Sequence, residues 1–262
     1  MRTSLCMIAR DEEAMLGPCL ESARDQVDEI ILVDTGSRDG TIELARRLGA
    51  QVFEFPWQDD FSAARNHALE HATGDWILVL DCDERLEAAS RHGIREAAAG
   101  GRYEGYLLRM CSGADEWYAL RLYRNRPDTR YYGRIHEQLR FPGPAARGSA
   151  TIRHLGYDPA LLEGRQKRDR NARLIEAALA ETAGASPDRH SFYLFYHAFG
   201  AAGAERAARL GRWVQFVEAH PELERPPARP WIPVGLAHYD WQLSDAGAHA
   251  EAEVRARRLL AR

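Results

Sequence analysis

Lysine is almost missing from this chain. Of 35 basic residues only Lys167 is a lysine, and the other 34 are arginine. Chemistry built on a lysine, such as a P-loop or a Schiff base, therefore has a single candidate and is disfavoured. Cysteine is sparse as well. Cys6, Cys19, Cys82 and Cys111 show no C-x-x-C spacing and sit in or beside apolar segments. They read as reduced, mostly buried thiols, which excludes a zinc ribbon or a disulfide framework. Long apolar runs are absent, and the stretch Met1–Ala9 is too short for a signal peptide. A soluble, cytoplasmic protein with no transmembrane segment is the default expectation.

What remains is ordinary in bulk and uneven in detail. The 262 residues are 45% apolar and 28% charged, enough for one large domain or one domain and a smaller companion. The formal net charge of −4 hides an asymmetry. Residues 1–90 carry 19 Asp and Glu against 8 Arg, whereas residues 91–262 carry 20 against 27 Arg and Lys. An acidic first part suits carboxylates gathered around a cation, and a basic second part suits a phosphate-bearing ligand. Two differently charged amphipathic surfaces explain the same numbers without any site.

The first hundred residues alternate between two periods. Short β-branched or apolar runs at Leu5–Ala9, Glu29–Val33, Gln51–Phe55 and Asp75–Leu80 predict strands. Helical spacing fills the gaps at Glu13–Arg24, Ile42–Leu48 and Phe61–His71. Strands alternating with helices over short loops mean βαβ units, a parallel sheet and an α/β fold. Ligands of such sheets bind outside the carboxyl ends of the strands. Beyond residue 103 the pattern changes to strands at Tyr103–Met110 and Glu116–Tyr123, a Pro/Gly loop at Phe141–Ser149 and a short strand near Ile152–His154. Helices are expected at Arg165–Glu181, Ser191–Phe199, Glu205–His220 and Ala248–Leu260. They resemble tetratricopeptide hairpins loosely, without a clean 34-residue period. The expected division is residues 1–160 and 161–262, with the second part a candidate homodimer surface.

Val79-Leu80-Asp81-Cys82-Asp83-Glu84 ends an apolar run in three carboxylates. Asp-x-Asp at a strand end holds two like charges close together, which favours a divalent cation. The competing explanation is a helix cap, with Asp81 or Asp83 accepting from free N–H groups of a helix starting near Arg85. Asp34 ends the preceding strand in the same way. Asp34-Thr35-Gly36-Ser37 matches an aspartic-protease signature literally, but the second copy and the all-β surround are missing. A haloacid-dehalogenase-type hydrolase would want Thr or Val where Arg85 stands and a lysine nearby. A plain strand–turn–helix connection is the remaining explanation for this segment.

Four further segments carry a resemblance. They are Ser4–Glu13, Val33–Thr41, Asp59–Asn66 and Gly74–Glu84, in that order, and together they resemble a family 2 glycosyltransferase of GT-A fold. Arg121-Leu122-Tyr123-Arg124-Asn125 and Gly133–Gln138 resemble its subgroup with helical, tetratricopeptide-like C-terminal segments, which includes lipopolysaccharide-core-type and peptide S-glycosyltransferases. The resemblance implies a mostly parallel sheet flanked by helices and a C-terminal helical segment. It also implies metal-dependent, inverting transfer from a nucleotide-sugar, a UDP-sugar first, with Mg²⁺ or Mn²⁺. The acceptor would be a peptide or a saccharide, free or lipid-linked. Asp34 would contact the base, with Ile8, Ala9, Arg10 and Glu12 lining its pocket. Arg65 would lie near the base or diphosphate. Asp81 would hold ribose or metal beside Cys82, and Asp83 would be the principal metal ligand. Glu137 is the first choice of catalytic base, with Asp115 and Glu116 behind it, and His136 a further metal ligand or diphosphate contact.

The arginines of Arg121–Arg134, interleaved with tyrosines, fit a diphosphate or an anionic acceptor. A nucleic acid is not expected, because the net-negative chain lacks a wider basic face. Tyr193, Phe195, Tyr196 and Phe199 read as the core between two helices. A catalytically silent scaffold of the same fold, recruiting a partner through its helices, is the competing function.

Overall fold

A computed structural model describes residues 1–220 and 223, apart from 91, 101, 114, 156–163 and 202. The helix expected at Ala248–Leu260 and the side chain of Phe199 lie outside the described residues. Two compact units divide the chain, Met1–Glu163 and Gly164–Arg262.

The first unit is built on one eight-stranded sheet. Its first half follows the βαβ pattern: β1 (Thr3–Ala9), α1 (Glu13–Ala23), β2 (Glu29–Asp34), α2 (Thr41–Arg47), β3 (Gln51–Glu54), α3 (Phe61–His71) and β4 (Trp76–Val79). β2 and β4 flank β1 in parallel and β3 lies outside β2. The chain thus builds outward from β1 to β3 and then returns to the other side of β1. Such a reversal opens a crevice beyond the strand ends, here between β1 and β4. Leu5, Met7, Ile31, Leu32, Ile77 and Leu78 are fully buried, as strands covered on both faces require.

The second half of the unit departs from the expected pattern. After β4 comes β5 (Glu84–Leu86), then α4 (Gly93–Gly100), β6 (Gly105–Ser112), β7 (Asp115–Arg124), β8 (Arg130–Tyr132), β9 (Gln138–Arg140) and β10 (Ala145–His154). No helix starts at Arg85, so the cap explanation for the acidic triplet fails. The segment Phe141–Ser149, expected as a loop, already belongs to β10 from Ala145. Its glycine at 148 fits because a Cβ there would press to 2.8 Å from Leu108 on the neighbouring strand. Strand order across the sheet is β3-β2-β1-β4-β7-β6-β10-β5, with β7 antiparallel to both β4 and β6. β8 and β9 form a separate ribbon.

Among the described residues the second unit packs three consecutive helices, α5 (Gly164–Thr182), α6 (Pro187–Phe199) and α7 (Gly203–Ala219). α6 starts at Ser186, which accepts from the Arg189 N–H, and Pro187 fills the first turn where its missing N–H is harmless. Tyr193 and Phe195 are buried, as expected of core residues, and Phe195 packs with Trp213, Val214 and Val217 of α7. Trp213 donates its indole N–H to Ser191 at 3.0 Å, so the buried ring leaves no orphaned donor. No described helix is long and apolar enough to cross a membrane.

Candidate active site

The rim beyond β1, β2 and β4 is organised by its own side chains. At the end of β2, Asp34 accepts from the backbone N–H groups of Gly36 and Ser37, each at 2.9 Å, and from the Ser37 hydroxyl. Gly36 meets this turn with a φ of 108°, open to glycine at no steric cost. Asp34 is 2% exposed, so in this structure it folds the loop that would face a base and does not itself line an open surface. The short Asx turn thus engages both carboxylate oxygens of Asp34 within the chain. The loop after β1 is stitched to the same turn. Asp11 donates its N–H to Ser37 and accepts from the Arg38 N–H at 2.7 Å, while the Glu12 N–H reaches Thr41 at 2.8 Å. Ala9 is buried with its carbonyl taken by Thr35, and Arg10 is exposed next to Asp11. Ile8 lines one crevice with Arg65, Val79 and Tyr131.

Arg65 reaches the rim because α3 is pinned at both ends of its first turn. Asp60 caps it, accepting from the Ala63 N–H at 3.0 Å. Asn66 then exchanges two hydrogen bonds with the backbone of Tyr131, at 2.9 and 2.8 Å, and the Phe61 N–H donates to the Arg134 carbonyl. This clamp brings the loop after β8 against α3. As a result Glu137 accepts from Arg65 Nε, and Arg65 Nη2 donates to Asp81 Oδ1 at 2.8 Å.

Arg121 approaches Asp81 from the other side. Along β7 the pairing jumps from Leu122 opposite Tyr106 to Leu120 opposite Leu107, so Arg121 is an extra residue in a β-bulge. Bulges bend the strand and re-aim a side chain. This one falls beside Leu78, the last residue of β4 paired to β7, and turns the Arg121 guanidinium to Asp81 Oδ2 at 3.4 Å and to Glu84. Glu84 is fully buried and bonds reciprocally with Asp81. Its Oε2 accepts the Asp81 N–H at 2.9 Å, and its own N–H donates to the Asp81 carbonyl at 2.9 Å.

Two guanidinium groups thus sit among three carboxylates, those of Asp81, Glu84 and Glu137. Burial pushes the Asp81 carboxyl up, but Arg65 and then Arg121 outweigh it and hold it well below the usual carboxylate range. For Glu84 burial wins over Arg121 and pushes the carboxyl up to about 7. Glu84, the last acid of the triplet, is thus central to this cluster.

Asp83 points elsewhere. β10 runs antiparallel to β5 with His154 opposite Glu84, and the Leu155 N–H donates to the Asp83 carbonyl at 2.8 Å. His154 Nε2 consequently lies 3.8 Å from Asp83 Oδ2, both side chains partly buried. Sequence reasoning missed His154, Arg121 and Glu84. Arg121 stood inside a flagged arginine run, but only the bulge singles it out. His154 carries no local signal, and its partner is set by a strand pairing about 70 residues apart.

The other expected residues are placed as follows. Cys82 turns its thiol into the core against the Ile8 carbonyl at 3.9 Å, and its own carbonyl is taken by Arg85 at 2.7 Å. Burial holds that thiol well above its ordinary value, so it stays protonated. His136 sits in the left-handed region with φ of 50°, a conformation uncommon outside glycine. Burial lowers its pKa to about 4 despite the neighbouring Glu137, which keeps the imidazole neutral at pH 7. Asp115 and Glu116 are exposed at the start of β7. Among the described residues no three His, Cys, Asp or Glu side chains form a ready-made metal cage. The Asp83–His154 pair still offers a hard oxygen and an imidazole nitrogen, a donor set that suits a divalent cation with open positions.

Fold and rim together define the class: an α/β protein of GT-A architecture whose acidic residues gather at the ends of its parallel strands. The sequence model described as Glycosyl transferase family 2 matches residues 4–147, more than half of the chain, and the chain belongs to that family. Over 206 residues it is 40% identical to a TPR repeat-containing protein of Synechococcus elongatus, covering 69% of this chain and 48% of that one. Over 185 residues it is 25% identical to the SPbeta prophage-derived glycosyltransferase SunS of Bacillus subtilis, covering 66% and 44%. The chain therefore spans about half the length of these curated relatives. Among solved structures, S. aureus TarS 1-349 in complex with UDP-GlcNAc aligns with a TM-score of 0.50 at 14% identity, over 83% of this chain and 82% of that one. That likeness concerns the fold.

Proposed function

We propose that the chain transfers a sugar from a nucleotide-diphosphate donor to an acceptor, by an inverting displacement assisted by a divalent cation. The observation that carries this reading is the Asp83–His154 pair at 3.8 Å, beside Asp81 and beyond the β1–β4 crevice. Mg²⁺ or Mn²⁺ would be held by Asp83 and His154, where it would neutralise the diphosphate and make the nucleotide a better leaving group. Asp81, kept ionised by Arg65 and Arg121, would accept from the ribose hydroxyls. The loop folded by Asp34, with Arg10 and Glu12 opposite, would form the wall against the base. TarS was solved with UDP-GlcNAc, so UDP-sugars lead the donor panel.

Glu137 is the assigned base. Its Oε1 is engaged by Arg65, which leaves Oε2 to take the acceptor proton as the acceptor attacks the anomeric carbon opposite the departing nucleotide. His136 stays neutral beside it and has room in its chemistry for a cation or a diphosphate contact.

Thermal shift against UDP, GDP and CDP, with and without Mn²⁺, tests this reading. A single nucleotide should stabilise the protein only with metal, by about 2.7 kcal/mol at a hundredfold excess over Kd. Asp83→Ala and His154→Ala should each abolish the metal-dependent part. No stabilisation by any nucleotide overturns the proposal.

A further inference from the structure

We propose that the end of the β6–β7 hairpin is the acceptor subsite, and that it takes a pyranose ring stacked on Trp117. The inference rests on the donor reading above and names the acceptor class for the same site.

Strand register places the hairpin. β4 ends at Val79, and Leu78 faces Leu122, so β7 continues as far as Asp115, roughly 20 Å beyond the last paired residue. Past the bulge, Trp117 pairs with Met110 and Asp115 with Ser112. Met110 in turn pairs with Ile152 on β10, two residues before His154. Directly paired residues point to the same side of a sheet and alternate along each strand. Trp117, Asp115 and His154 accordingly share one face. The Trp117 and His154 rings meet edgewise at 6.3 Å between centroids, and His154 is the residue that stands 3.8 Å from Asp83.

Exposure selects Trp117. Among the described residues the exposed large hydrophobics are Met1, Trp117 at 36% and Tyr118 at 42%. Tyr118 lies on the opposite face and is covered by the Arg147 guanidinium, 4.3 Å from its ring centre. Among the described residues no guanidinium covers the indole in this way. Its surroundings then choose the ligand. Asp115 lies on its own face, and the Arg109–Glu116 pair at 3.4 Å lies across the strand. A lipid chain laid here would desolvate the Asp115 carboxylate without pairing it, which is costly. A pyranose suits the place, because its axial C–H face covers the indole while its hydroxyl rim donates to the Asp115 carboxylate on the same face.

Saturation-transfer NMR with methyl glucoside, methyl galactoside and methyl N-acetylglucosaminide, in UDP and Mn²⁺, tests the assignment. Wild type and Tyr118→Ala should show transfer to one of these rings. Trp117→Ala should weaken it about fivefold, and Trp117→Phe should restore part of it. The UDP-dependent thermal shift, measured in parallel, reports that each variant keeps a folded donor half. Equal saccharide signals in wild type and Trp117→Ala, with that shift intact, overturn the subsite alone. So does transfer to a cysteine-bearing peptide with no saccharide signal at all. Absence of the UDP shift in wild type overturns the donor reading and the subsite together.

Discussion

Glu84 and Asp83 are neighbours in sequence with different partners, and substitution should separate them. Above pH 7, where the raised Glu84 carboxyl is ionised, Glu84→Gln keeps an oxygen for the Asp81 N–H but removes the charge facing Arg121 in a fully buried place. Breaking a buried pair by removing one partner costs about 3–5 kcal/mol, mostly because the other charge is stranded. Here Asp81 still shares Arg121, so a loss near about 3 kcal/mol is expected by urea denaturation, together with reduced transfer. Asp83→Ala, by contrast, should leave stability within about 1 kcal/mol and remove metal dependence. An equal stability loss in both variants would contradict this division. The acidic triplet was legible as a strand end from its position after an apolar run. What each acid pairs with was not legible. That depends on Arg121 and His154, brought in by a bulge and by a strand pairing that a local spacing rule does not contain.

At the scale of elements, the alternation of β1 to β4 with three helices could be read because each segment obeys one period. Phe61–His71 coincides with the observed α3, whose cap, Asp60, stands in the sequence as an ordinary acid before the apolar run. β5 and the first half of β10 were missed for a shared reason. Glu84–Leu86 and Ala145–Ser149 have little β-branched content, and neighbouring strands impose their conformation. One carboxylate joins three of these elements. Glu29, at the start of β2, accepts from Ser4 on β1 and from the backbone N–H groups of Thr73 and Gly74, just before β4, at 2.5 to 3.1 Å. Burial raises its pKa, but the bonds from Ser4, Thr73 and Gly74 together hold it below the ordinary 4.5. A depressed carboxyl stabilises the fold above its unfolded pKa, and that contribution is lost as pH falls through the lower, folded value. Glu29→Gln should therefore cost about 1–2 kcal/mol at pH 7, and the gap to wild type should narrow as pH falls below 4.5 through the lower, folded pKa. A gap that stays constant with pH would refute the linkage.

The whole molecule divides at Met1–Glu163 and Gly164–Arg262, and every residue assigned to the donor, the cation or the acceptor lies in the first unit. A polypeptide ending at Glu163 is expected to unfold in one cooperative transition and to keep the Mn²⁺-dependent nucleotide shift of the full chain. Failure of that fragment to fold would show that the helices complete the first unit. The place of β10 has a further consequence. Among the described residues it is the last strand of the unit in chain order, yet it lies inside the sheet, between β6 and β5, and it carries His154. Its pairing with β6 closes a loop of about 40 residues, and its pairing with β5 one of about 65. Pairings this distant make the unit a slow, high-contact-order folder, and the Asp83–His154 contact forms only when the last of them closes. Partly folded chains would thus hold an acidic rim with no imidazole to complete it, and nucleotide affinity would appear with the slowest refolding phase.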